Sequence, residues 1–303
     1  MFGRNNNNRK YVDLIFQSRG KYPNLDPATS MEVGDYGFVT RDTAMFRKQG
    51  NLFKENLAQG LEKETGSRMG IVVMMAEGTK SFDAGGNIGV YVLQFQICYP
   101  FPIDTCRTIP GFAECSFKSR YSFSRGSGAA LVMHQPIVTV INNQGNIKKL
   151  YQDGVLTKCQ AVITQVFACP SYALLLGGKQ GGDAMLGYRA NSLPIGGHDV
   201  AVFSQVGWVG NTSSGEWQWA HDANERDVYF PLCVLGGISP RIGVQDLRNS
   251  PMPKDDEPDL LFPYPPPWGL LDEDGSEKIF VDHVPDDSDD EEVSWITLIE
   301  GRA

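Results

Sequence analysis

The longest apolar stretch of the chain poses the first question about its fold. Between Lys158 and Lys179, in KCQAVITQVFACPSYALLLGGK, no residue is charged, although 21% of the chain is. Gln160, Thr164, Gln165 and Ser171 make the stretch too polar for a membrane helix. It also outruns an ordinary strand of about five or six residues. Pro170 cannot donate in a central ladder, so the pattern predicts long strand structure with a break or bulge there.

Period-two and continuous apolar runs recur elsewhere. VGDYGFVTRDTAMFRKQGNLF (33–53) predicts a β-hairpin turning near Thr43, with Met45, Phe46, Arg47 and Lys48 at its tip. GIVVMMA (70–76), NIGVYVLQFQICYPF (87–101) and GAALVMHQPIVTVI (128–141) read as apolar strands. FAECSFKSRYSFS (112–124) alternates apolar and small polar residues, as a strand with one wet face does. Val200, Val202 and Val206 alternate within 198–222, and 226–238 is a last apolar run. Helical spacing is sparser. RKYVDLIFQSRG (9–20) predicts a short amphipathic helix after a disordered start over 1–10, and KENLAQGLEKE (54–64) a helix weakened by Gly60. Ile147, Leu150 and Tyr151 mark a third, closed by Gly154. The expected architecture is α+β: a twisted, mainly antiparallel sheet with long hairpins and few short helices. PYPPPW (263–268) reads as a polyproline linker into an acidic tail.

Charge sharpens this division. The net charge of −9 over 303 residues hides a mildly basic body of +4 over residues 1–253. Residues 254–303 hold 16 acidic against three basic side chains, a net of −13. The expected domains are therefore 1–238 and an acidic, Pro-containing tail over 239–303. MFGRNNNNRK lacks the apolar core of a signal peptide, which points to the cytoplasm and leaves the sequon at Asn211 unused. The six cysteines show neither C-x-x-C nor zinc spacing and read as buried reduced thiols.

Motifs for chemistry are few. GGKQGG lacks the Lys-Ser/Thr ending of a phosphate loop, and RGSGAA is a poor dinucleotide fingerprint. The four histidines show no metal-binding spacing, and no G-x-S-x-G surrounds Cys169 or Ser171. A Cys169–His134 dyad assembled in space stays open as a faint hydrolase alternative. No catalytic residue, metal or cofactor is therefore expected, and a body at +4 is far from a nucleic-acid binder. What stands out instead suits a membrane surface. Phe46 beside Arg47 and Lys48, and Arg9 and Lys10 beside an apolar helical stripe, place aromatics and cations together. Lys148 and Lys149 extend this candidate lipid-binding set.

In this order, the elements resemble the pore-forming N-terminal domain of the gasdermins over roughly residues 9–238. The resemblance rests on the basic helix near 9–20, on the hairpin VTRDTAMFRKQGNLF, and on extended strands over 70–101 and 112–134. LYQDGVLTKCQAVITQVFACPSYALLL and HDVAVFSQV occupy the places of later family elements. The short acidic tail resembles the fungal members, which lack a large helical inhibitory domain. The resemblance implies a cell-death effector that binds acidic phospholipids, forms a homo-oligomer, and inserts hairpins from about 70–134 and 158–208. It would wait in the cytoplasm under inhibition by its tail, and act at the plasma membrane once released by a protease or a paralogue. A non-enzymatic β-rich interaction module, recruiting partners through its tail, is the other class that fits.

Overall fold

The computed structural model describes residues 5–83, 90–92, 115–126, 128–189, 207–222, 228–238, 261–272 and 275–277. In chain order, α1 (Asn5–Arg19) precedes β1 (Tyr22–Pro23), β2 (Asp35–Val39), β3 (Phe46–Asn51), β4 (Glu62–Thr65), β5 (Ile71–Met75), β6 (Thr79–Asp83) and β7 (Val90–Val92). Then come β8 (Phe117–Phe123), β9 (Ala129–His134), β10 (Ile137–Asn142), α2 (Gly145–Gln152), β11 (Ala161–Cys169) and β12 (Ser171–Leu176). The last elements are β13 (Gly182–Arg189), β14 (Gly207–Thr212), β15 (Glu216–His221), β16 (Tyr229–Gly237) and β17 (Phe262–Pro263). The fold is mainly antiparallel sheet with two helices among the described residues; β5–β7 is a parallel pair.

Three sheets result. A body sheet runs β1-β16-β11-β10-β4, with β17 also on β16 and the β2–β3 hairpin attached through β11. A middle sheet runs β15-β12-β9-β5-β7, and an outer sheet β14-β13-β8-β6. The middle sheet is apolar on both faces. Val72, Met74, Leu131, Met133 and Leu174 face a first core shared with α1 and the body sheet. Ile71, Val73, Val132, Ala173 and Leu175 face a second core, closed by Phe117, Tyr121, Leu186 and Trp208 of the outer sheet. Burial on two faces is why β5, β9 and β12 are continuous apolar runs. In β8, buried and half-buried residues alternate, as the one-wet-face pattern predicts for an outer layer.

The outer sheet is the middle sheet's own continuation. β5–β6, β8–β9, β12–β13 and β14–β15 are four chain segments, each giving one strand to either sheet, in the same lateral order. All four turn over at one level, at residues 76–78, 124–128, 177–181 and 213–215. The molecule therefore contains a four-stranded sheet folded double around the second core.

The strand break expected at Pro170 is present, with a change of sheet that the pattern did not predict, and other expectations need correcting. The charge-free stretch is two strands: β11 lies in the body sheet, β12 in the middle sheet, and Pro170 is the corner between them. Pro170, which has no N–H to give to a ladder, stands between the two strands, and its carbonyl accepts from the Asp222 N–H at 3.2 Å. The run 128–141 likewise changes sheets, at Gln135 (φ 49). Residues 54–64 form turns leading into β4, because Asn56 and Gly60 both take positive φ and break the helical ladder. Conversely, α1 begins at Asn5, inside the segment expected to be disordered: Asn6 and Asn7 are held by Ser276 and Glu216, contacts that override weak helix propensity. The strand runs expected over 93–101 and 198–206 lie outside the described residues.

Leu174→Ala, at the centre of the two-sided middle sheet, should lower unfolding free energy by about 3 kcal/mol. Lys80→Ala, on the wet face of the outer sheet, should change it by less than about 0.5 kcal/mol in the same denaturant titration.

Candidate functional site

Three chain segments meet where basic residues were expected to face a membrane: the start of α1, the turn between β2 and β3, and residues 261–277. The third arrives as a strand. β17 pairs Pro263 with Gly236 and Phe262 with Gly237, and Tyr264 N–H donates to the Leu235 carbonyl at 2.8 Å. Gly236 and Gly237 leave the room this needs, since a Cβ on Gly237 would sit 2.9 Å from the Tyr264 ring. Tyr264 and Trp268 then enter the first core, at 4% and 3% exposure, and the Tyr264 hydroxyl donates to the Cys159 carbonyl. The PYPPPW motif is thus a buried anchor rather than a linker. Its prolines pre-set an extended path, which lowers the entropy lost on docking.

Beyond Trp268 the chain turns back. Asp272 N–H donates to the Ser276 carbonyl and Ser276 N–H to Asp272 Oδ1, while Gly275 (φ +77) presses against Asn6 of α1. This turn delivers the Glu277 carboxylate between two guanidinium groups. Arg41 donates Nε to Oε1 at 2.9 Å and Nη2 to Oε2 at 2.5 Å, a two-point clamp. Arg9 of α1 approaches Oε1 at 3.5 Å, and the Gly269 N–H donates to Oε2. The Arg41 hydrogen bonds, foremost, hold the Glu277 carboxyl below its usual range and raise the Arg41 guanidinium.

The expected site residues are dispersed around this clasp. Arg9 belongs to it. Lys10 is buried at 5% exposure against the same segment, its Cβ 3.2 Å from where a Cβ on Gly275 would lie. Phe46, Arg47 and Lys48 are on strand β3 and not at the hairpin tip, which is Thr40–Ala44. Phe46 packs on the first core and Arg47 is exposed. Lys48 Nζ lies 2.7 Å from the buried Asp35 carboxylate, which also accepts from Asn51 Nδ2 and the Glu32 N–H, so Lys48 closes a structural network. Lys148 and Lys149 are on α2, where Lys149 helps line a groove of about 340 Å³ with Asn56, Gln59 and Asp153. Arg41 and Glu277 went unrecognised in the sequence. Arg41 differs from its neighbours only by sitting in the turn, and Glu277 is one acid among many in its tail.

Cys169 and Ser171 flank Pro170 but offer no activated nucleophile. Burial pushes the Cys169 thiol far up, away from the thiolate that would react, and the Ser171 hydroxyl donates to the Ala220 carbonyl. No helix among the described residues is long and apolar enough to cross a membrane, which says nothing of strands. No known family model matches the chain, and no curated protein matches it.

Trp268→Ala should weaken docking of 261–277 by about 3 kcal/mol, seen as roughly 100-fold faster amide exchange at Tyr264. The Glu277 contact has an acid limit. Its carboxyl is depressed in the docked state, so its contribution is full above the ordinary glutamate value of 4.5 and disappears as pH falls through the depressed one. Titration should therefore loosen residues 275–277 below about pH 4 while Tyr264 remains protected.

Proposed function

We propose that this chain is a membrane pore former of the gasdermin type, kept soluble by its own C-terminal segment. The carrying observation is the Glu277 carboxylate bridging Arg9 on α1 and Arg41 on the hairpin turn. A carboxylate in a two-arginine clamp stands where a lipid phosphate or carboxylate headgroup would stand, because planar guanidinium groups recognise both with the same fork. While the segment is docked, the basic face of α1 and the turn is occupied. When the segment leaves, both arginines become available to an anionic leaflet, and each surface cation there contributes about 1 kcal/mol of attraction.

The folded-double sheet supports the second half of the reading. Its segments 117–134 and 171–189 exceed the ~9–11 residues a tilted transmembrane strand needs. A protein that must be soluble first and span a bilayer later needs strands of this length held in a compact form, and antiparallel strands in a closed barrel satisfy their backbone groups in lipid. Assembly of many copies around the pore follows from that closure. Within this reading residues 1–238 form the pore-forming unit, and the acidic tail is its inhibitor. The cytoplasm is the resting compartment, and the plasma membrane is the site of action. Proteolysis beyond Trp268, or a paralogue that displaces the segment, is the trigger.

Glu277→Lys in the full chain places a third cation between Arg9 and Arg41 and should release the clasp. Dye release from phosphatidylserine vesicles should then run about tenfold faster than with the unaltered chain, while phosphatidylcholine vesicles stay sealed. Equal rates for the two proteins would remove the clasp from the mechanism. Absence of leakage from both, also after proteolysis, would leave the interaction module as the better reading.

A further inference from the structure

The clasp leaves one of its two arginines short of an anion. Arg41 takes both oxygens of Glu277, while Arg9 reaches only Oε1, at 3.5 Å, too long for a strong charge-assisted hydrogen bond. Of the groups that lower the Glu277 carboxyl, Arg41 contributes first and Arg9 last. Arg9 Nη2 donates to the neutral Asn6 Oδ1 at 2.6 Å, and its buried Nε has no hydrogen-bond partner among the described residues. The Arg9 side chain is 17% exposed against 66% for Arg41, so water screens its charge less. A largely buried cation calls for an anion of its own, and this one shares a single carboxylate.

Ser276 stands beside this unmet demand. Its Oγ accepts from Asn6 Nδ2 at 3.1 Å, and the oxygen of that same carboxamide accepts from Arg9. Hydroxyl and guanidinium therefore lie on either side of one amide group. Asp272 fixes the Ser276 backbone, whose N–H donates to Oδ1 and whose carbonyl accepts the Asp272 N–H. The residue is half-buried, so its hydroxyl comes within reach of an enzyme when the segment loosens. In sequence, Ser276 follows Asp272, Glu273 and Asp274 and precedes Glu277, with no basic residue before Lys278. A run of carboxylates around a serine suits a kinase whose substrate groove is basic.

We propose that Ser276 is a phosphorylation site for an acidophilic serine kinase, and that its phosphate binds Arg9 and tightens the clasp. The transfer is a displacement at the γ-phosphorus of ATP. The Ser276 oxygen forms the new P–O bond, ADP leaves, and the hydroxyl proton passes to the base of the kinase. The product carries up to two negative charges and three acceptor oxygens. Arg9 then exchanges a shared carboxylate at 3.5 Å for a phosphate of its own, and Arg41 keeps Glu277. Repulsion from Glu277 and Asp272 opposes this. Glu277 stays paired with Arg41, however, and Asp272 is exposed, where water and salt screen it. Tighter docking is therefore the favoured outcome. Its functional consequence, an added restraint on the inhibitor, rests on the pore-forming reading; the contact between phosphate and Arg9 does not.

The full-length chain with phosphoserine installed at 276 tests the contact directly. Amide exchange over residues 275–277 should be about tenfold slower than in the unmodified chain. In phosphorus NMR the phosphate should titrate below its ordinary value of about 6, because Arg9 favours the dianion. The added protection is then full above about pH 6 and is lost as pH falls through the depressed value. Both effects should vanish in Arg9→Gln, which a phosphate without that partner would not show. Exchange that is unchanged or faster on modification, or an effect that survives Arg9→Gln, would overturn the proposal. The kinase assignment has its own check. With magnesium ATP and a purified acidophilic serine kinase, peptide mapping should find phosphate on Ser276 of the full chain. Its absence there, and also from the loosened Trp268→Ala chain, would overturn that assignment. Leakage of phosphatidylserine vesicles should fall about tenfold together with exchange. Slower exchange with undiminished leakage would overturn the inhibitory reading beneath the proposal, not the contact.

Discussion

The structure depends on one constraint: the middle sheet is apolar on both faces and must be covered twice. One face is covered by α1 and the body sheet, through Tyr11, Val12, Ile15 and Leu235. The other is covered by the continuations of the same strands, which turn over and close the second core. Burial is the dominant favourable term in folding, at roughly 25 cal/mol for each Å² of apolar surface, and this arrangement buries both faces with one set of strands. The same economy joins the outer layer to the middle layer through the corners, side-chain packing and a few hydrogen bonds, such as those between Thr79 and the Ala129 backbone.

The C-terminal segment acts on the opposite side, at the first core. Tyr264 and Trp268 supply apolar anchorage, and Glu277 supplies a charge-specific contact at the far end. These two parts have different sensitivities. Packing of aromatics is indifferent to salt and headgroup charge, whereas an ion pair with a largely exposed Arg41 is screened by salt and exchangeable for another anion. The proposed function uses that difference, since a lipid headgroup competes for the arginines without having to displace a tryptophan first.

Much of the fold was legible because burial writes itself into pattern. Continuous runs in β5, β9 and β12 marked apolar strands, and alternation in β8 marked a strand with one wet face. Pro170 was legible as an interruption, but not as a change of sheet, because period-two patterns do not say which sheet a strand joins. The asparagine helix start was illegible, since its order comes from Ser276 and Glu216, far away in sequence. The clasp was hidden by composition. Tyr264 and Trp268 sit among prolines ahead of an acidic run, and only their pairing with Gly236 and Gly237 makes that segment a strand. Arg9 could be found from the amphipathic helix; Arg41 needed the carboxylate that binds it.

The central claim is that a sheet folded double in solution opens on an anionic membrane. Pulsed spin-label distances between positions 118 and 135, at either end of one segment, test it most directly. On phosphatidylserine vesicles the account predicts a separation of about 55 Å, the length of a straight strand over that span, against a much shorter one in solution. A protein that leaks such vesicles while keeping its short solution distance would contradict it.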